Sequence, residues 1–134
     1  MGDSGEKSRK SFATCMSCMD GRVIVPLIEW IRKNFGVDCV DMITEAGMDG
    51  ILSGEVCPCK ESLIEKLDIS LEKHGSRVIC ISGHSDCGGN PVDDETHRDQ
   101  ILKAVERVSK WKPEVTVAGL WVSPDWKVIR LLPK

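Results

Sequence analysis

The chain has 134 residues, 41% of them hydrophobic and 29% charged, which is enough for one domain around a single core. Its net charge of −3 gives no electrostatic reason to expect a nucleic acid or an anionic membrane surface as partner. No apolar run approaches the roughly 20 residues that cross a bilayer, and the polar start MGDSGEKSRK lacks the apolar stretch of a secretory signal.

That start also misses the myristoylation pattern, because Glu6 stands where Ser or Thr is required. Residues 1–10 therefore read as a disordered leader, and 11–134 as a single domain. The first strand is expected at "SFATCMS" (11–17). A helix follows, with Ile24, Leu27, Ile28, Ile31 and Phe35 on one face, Pro26 suited to a first turn and Gly36 to a stop. "VDCVDMIT" (37–44) reads as a second strand, and a Gly-rich loop runs from Gly47 to about Pro58. Leu63, Ile64, Leu67 and Leu71 mark a second helix closed by Gly75. "RVICISG" (77–83) is almost wholly apolar, as a strand covered on both faces should be.

A third helix over about 93–110 places Ile101, Leu102, Val105 and Val108 at helical spacing. "VTVAGLWV" (115–122) and "KVIRLL" (127–132) flank the turn signal "SPDW", so the last two strands form an antiparallel hairpin. Strands separated by helices imply right-handed βαβ units. The predicted class is α/β: three layers, α/β/α, with a mostly parallel sheet and an antiparallel edge strand.

In such sheets ligands bind beyond the carboxyl ends of the strands, where the strand order reverses. If the first predicted strand lies centrally, with the second on one side and the third on the other, the loops after the first and third meet there, and they carry "CMDGR" (18–22) and "HSDCGG" (84–89). Cys18, His84 and Cys87 together offer two thiolates and an imidazole, a ligand set favoured by zinc. Three protein ligands leave a fourth position for water, whose pKa zinc lowers to roughly 7. Asp20 follows Cys18 by two positions and so shares its side in an extended segment. It can accept a hydrogen bond from that water or bind the metal as a fourth ligand. Arg22 continues the alternation and can hold Asp20 in a bidentate pair.

Taken together, Cys18-x-Asp20-x-Arg22 and His84-x-x-Cys87 resemble the signature of the β-class carbonic anhydrases. The surrounding "TCMSCMDGRV", "EAGMDG" and "SLEKHGSRVICISGHSDCGG" extend the resemblance over about residues 11–90, and "GLWVSPDWKVIRL" is similar to the edge hairpin of that family. The resemblance implies a sheet of order 2-1-3-4, a zinc ion on Cys18, His84 and Cys87, and reversible hydration of carbon dioxide to bicarbonate by zinc-hydroxide attack. Asp20 and Arg22 become the catalytic dyad, with Asp20 able to close the metal site in an inactive form. It implies a homodimer or higher homo-oligomer, and the absence of a secretory signal from a cysteine-rich chain points to a cytoplasmic setting. The family pocket draws on a Tyr, a Phe and a Gln, whereas this chain has no tyrosine and two phenylalanines. That difference keeps open hydrolysis of carbonyl sulfide or carbon disulfide on the same site, or a catalytically silent zinc protein.

Other readings compete locally. The seven cysteines, with no secretory signal, point to a reducing compartment, where clustered thiols hold metal or do chemistry more often than they form bridges. Cys15 and Cys18 form a C-x-x-C that can be a redox pair, and Cys57-Pro58-Cys59 can bind a second metal or lie incidentally in its loop. Cys39 and Cys80 read as core residues. Ser85 and Asp86 are either hydrogen-bond partners of the site or turn residues. His97 reads as a solvated helix residue, with proton relay as its alternative, and His74 as a helix C-terminal cation.

Overall fold

The computed structural model describes residues 9–134, so most of the expected leader, residues 1–8, lies outside the described residues. The elements follow in order: β1 (Phe12–Ser17), α1 (Gly21–Phe35), β2 (Cys39–Thr44), α2 (Met48–Ser53) and α3 (Lys60–Asp68). A π-helical turn (Ile69–Lys73) comes next, then β3 (Val78–His84), α4 (Asp94–Trp111), β4 (Thr116–Val122) and β5 (Val128–Leu132). The sheet order is β2-β1-β3-β4-β5, with β5 antiparallel to β4 and every other pairing parallel. This is the order and the antiparallel edge expected from the sequence.

Two apolar layers sandwich the sheet, because its inner strands alternate side chains between two covered faces. On one face Val23, Leu27 and Ile31 of α1 pack on Ala13, Cys15, Cys80, Ala118 and Leu120. On the other, α2, α3 and α4 bring Met48, Leu52, Leu63, Leu67, Ile101 and Val105 onto Met16, Ile43, Ile79 and Ile81. Cys80 is thus a core residue, but Cys39, at the first position of the edge strand, is only half-buried.

Two helices depart from the sequence reading. The Gly-rich stretch after β2 is not all loop: Met48 and Leu52, four apart, bury the face of a short helix, α2. The first helix starts at Gly21, which leaves Pro26 in its interior rather than its first turn. It starts there because Asp20 caps it, its side chain accepting from Arg22 N at 2.9 Å. Gly36, at φ 62°, ends it in the left-handed conformation that glycine adopts without a Cβ penalty.

Candidate metal centre

Parallel pairing of β1 with β3, with Cys15 opposite Cys80 and Met16 opposite Ile81, brings the carboxyl ends of both strands to one edge. Cys18 is the first residue after β1, and His84 is the last of β3, with Cys87 just beyond it. Their donor atoms all lie within 4.8 Å of one another, and all three residues are buried. The two sulfurs stand 3.8 Å apart. Two metal–sulfur bonds of about 2.3 Å at a tetrahedral angle require about that separation.

His84 is set for ligation by its own turn. Its Nδ1 donates to the Ser85 main-chain oxygen at 2.7 Å, which leaves the Nε2 lone pair free. That Nε2 is buried and has no hydrogen-bond partner, an arrangement costly for a histidine that only fills space. The three residues fit a divalent metal ion, which would satisfy the orphaned nitrogen and both thiolates together. Without a metal, burial pushes the Cys87 thiol above its usual pKa, and Cys18 beside it adds to the rise. Backbone N–H groups favour the thiolate instead: those of Gly89 and Asn90 act on Cys87, and Gly47 N points at Cys18 Sγ from 3.5 Å.

Asp20 and Arg22 form the predicted couple. Arg22 donates from Nε to Oδ1 at 3.0 Å and from Nη2 to Oδ2 at 2.7 Å, a bidentate grip. These bonds hold the Asp20 carboxyl at about 2, well under the ordinary carboxylate value. Its Oδ2 also stands 4.0 Å from His84 Nε2, so the carboxylate borders the donor set without occupying it. The guanidinium lies over Trp126, 4.6 Å from the ring centroid, which fixes its plane.

Arg22 does more than the sequence assigned to it. It also reaches Asp86, donating from Nη1 to Oδ2 at 3.2 Å and from Nη2 to the main-chain oxygen at 3.1 Å. Asp86 therefore partners the site, and it has φ 59°, so the turn between His84 and Cys87 passes through a left-handed residue. Ser85 contributes its main-chain oxygen to His84. Cys15 is buried two residues inside β1 beside Cys80, away from the donor set. Cys57 and Cys59 pack half-buried against the opposite core, and all seven cysteines are unpaired.

Sequence reading missed one polar cluster altogether. Asp49 of α2 and His97 of α4 are fully buried and bonded to each other, Nδ1 to Oδ2, at 2.6 Å. His97 is thus not the solvated helix residue expected. The signal was available: His97, Ile101, Ala104, Val105 and Val108 form one continuous stripe that begins a turn before the first aliphatic residue. His74 carries a partner as well as a helix end, with Nδ1 2.7 Å from Asp41 Oδ2 and its ring stacked on Phe12.

Comparison with known proteins agrees with this fold. A family model described as "Putative carbonic anhydrase" matches residues 8–131. Among solved structures, the chain is similar to a carbonic anhydrase from Glaciozyma antarctica, with TM-score 0.58 and 16% identity, covering 87% of this chain and 80% of that one. It is similar to the β-carbonic anhydrase CafA of Aspergillus fumigatus, with TM-score 0.55 and 11% identity over 98% of this chain and 80% of that one. It is also similar to a structure from work on two tetrameric β-carbonic anhydrases of Sordaria macrospora, with TM-score 0.53 and 12% identity over 98% of this chain and 90% of that one. A search of curated proteins finds no significant match. The family match over nearly the whole chain and the shared architecture lead to one conclusion: the chain belongs to the carbonic anhydrase family and has the fold of its β class.

Proposed function

We propose that the protein is a zinc-dependent carbonate dehydratase that interconverts carbon dioxide and bicarbonate, with Cys18, His84 and Cys87 as metal ligands and Asp20 and Arg22 as its dyad. The observation that carries this reading is the burial of those three donors within 4.8 Å of one another at the sheet's switch point, with a lone Nε2 among them. Zinc bound there supplies a water acidic enough to act as a nucleophile near neutral pH.

The chain's own residues divide the remaining work. Asp20 Oδ2 stands 4.0 Å from His84 Nε2 at the edge of the donor set, where it could accept a hydrogen bond from a water on a bound metal and so orient that water. Its pKa of about 2 makes it a permanent acceptor and a poor proton store at neutral pH, so the proton released on hydration leaves to buffer by another route. Arg22 keeps the carboxylate ionised and, through its grips on Asp20 and Asp86, would hold it off a bound metal. Closure of the site with Asp20 as fourth ligand requires that pair to part.

An assembly of two or more copies belongs to the same reading. Support comes from two open sheet edges, β2 and β5, and from the tetrameric Sordaria macrospora relatives. A cytoplasmic setting suits the seven unpaired cysteines, and no helix among the described residues is long and apolar enough to cross a membrane.

Stopped-flow hydration of carbon dioxide by the zinc-loaded protein tests the reading. Activity that vanishes in Cys87→Ser and falls strongly in Asp20→Ala is the expected result. Full zinc occupancy without hydration from mildly acidic to alkaline pH overturns it. Release of sulfide from carbonyl sulfide or carbon disulfide by that same protein would then name the substrate.

A further inference from the structure

Behind the donor set, on the other face of β3, lies the knot of buried polar groups around Asp49. One carboxylate oxygen, Oδ2, accepts from His97 Nδ1 at 2.6 Å. The other, Oδ1, accepts from Gly50 N at 2.9 Å and from Asn90 Nδ2 at 3.0 Å. Asn90 Nδ2 spends its second hydrogen on Gln100 Oε1 at 2.7 Å. Asp49 is 2% exposed and His97 not at all, and His97 Nε2 has no partner.

The backbone around the knot is packed to contact. A Cβ on Gly83 would meet Asp49 Oδ2 at 2.3 Å, and one on Gly47 would meet the Gly89 main-chain oxygen at 2.7 Å. Gly47 N points at Cys18 Sγ from 3.5 Å, and Asn90 N closes the Cys87 turn by donating to the Cys87 main-chain oxygen at 3.4 Å. Asp49 sits two residues after Gly47, and its partner Asn90 sits three residues after Cys87. The carboxylate therefore ties together, from behind, the segment whose amide faces the Cys18 sulfur and the turn that carries Cys87.

We infer that Asp49, His97 and Asn90 are positioning residues for the metal centre, holding the Gly47 amide on the Cys18 sulfur and the Cys87 turn in its place, and so setting the affinity and geometry of the site. The inference rests on the proposed ligation by Cys18, His84 and Cys87. His97 supplies the rigid member: its imidazole, fully buried in the α4 stripe with its ring centroid 6.0 Å from that of Trp121, gives the buried carboxylate a donor that no mobile side chain could keep so well placed. An apolar residue would fill that position for packing alone. Groups that hold metal ligands in place typically alter metal affinity by about 10–100-fold when removed.

The test uses the full-length protein stripped of metal and reloaded. Zinc affinity is read by competition with a chromophoric chelator, and the ligand geometry by the visible absorption of the cobalt(II) form. Asn90→Ala, on a half-exposed loop, should stay folded by circular dichroism, bind zinc at least tenfold more weakly and shift the cobalt bands. His97→Leu should do the same or more, and His97→Asn, which returns an N–H close to the place of Nδ1, should recover most of the loss. A His97→Leu protein that fails to fold leaves the decision to Asn90→Ala and His97→Asn. Wild-type affinity and unshifted cobalt bands in folded Asn90→Ala and His97→Leu overturn the inference while the metal centre stands. Failure of the wild-type protein to take up metal, where Cys87→Ser behaves no differently, overturns the metal-ligand reading instead, and this inference with it.

Discussion

Arg22 is bonded to Asp86 as well as to Asp20, at 3.2 Å from Nη1 to Oδ2 and 3.1 Å from Nη2 to the main-chain oxygen. One guanidinium thus joins the segment after β1 to the turn after β3, the same two segments that hold Cys18 and Cys87. Its contact with the exposed Asp86 carboxylate contributes little by itself, because solvent screens it. The main-chain oxygen and the bidentate Asp20 contact are what make the clamp directional.

Removing that clamp releases Asp20. In Arg22→Ala the Asp20 carboxyl should climb from about 2 back toward the ordinary carboxylate value, read by carbon NMR titration of the labelled carboxyl. Because the folded-state pKa lies below the unfolded one, the stabilisation exists above the ordinary carboxylate value and disappears as pH falls through roughly 4 to 2. Wild-type protein should therefore lose stability over that acid range more steeply than Arg22→Ala. Hydration activity should fall on the order of 10–100-fold in the variant, since the acceptor is no longer held in place. Arg22→Lys, with a point charge in place of the fork, should restore only part of it.

The buried thiols set a limit at the other end of the pH scale. Burial pushes Cys80 up to about 12 and Cys15 well above its ordinary value, with Cys80 beside Cys15 adding to that rise. In the unfolded chain both ionise near the free-thiol value of about 8.5, so above it the unfolded state binds fewer protons and stability falls as pH rises. The slope approaches about 1.4 kcal/mol per pH unit for each thiol that stays protonated in the fold. Urea midpoints of the metal-free protein should drop between pH 8 and 10, and Cys80→Ala should show a shallower drop despite lower stability at neutral pH.

Glycines around the site should divide sharply under substitution. Gly83→Ala forces a Cβ to 2.3 Å from Asp49 Oδ2 and 3.0 Å from Ile101 Cδ1, where neither a core carboxylate nor a packed isoleucine can withdraw. A loss of at least about 1–3 kcal/mol is expected. Gly21→Ala meets nothing within 4 Å at the start of α1 and should be neutral or stabilising by up to about 1 kcal/mol. Thermal melts of the two variants against wild type measure the contrast.

What the sequence made legible has a physical pattern. The α/β class and the antiparallel edge came from alternation and strand composition, and the choice of Cys18, His84 and Cys87 from ligand chemistry, whereas the strand order came from the family resemblance of the two motifs. Asp49 stayed hidden because a lone carboxylate in "GMDG" looks like turn chemistry until Gly83 and His97 close over it. The interior Pro26 was misplaced because Asp20, named for its chemistry, also caps the helix and draws its start forward to Gly21. Asp86 could not be assigned from sequence, since its role depends on a guanidinium that reaches it only after β1 and β3 have paired.

The most direct measurement is X-ray absorption fine structure at the zinc edge on stoichiometrically loaded protein. Two sulfur neighbours at about 2.3 Å and one imidazole nitrogen at about 2.0–2.1 Å, with a light atom completing the shell, are expected, and the sulfur signal should halve in Cys18→Ser. A zinc shell without sulfur, or one left intact in Cys18→Ser and in His84→Ala alike, would contradict the proposed centre.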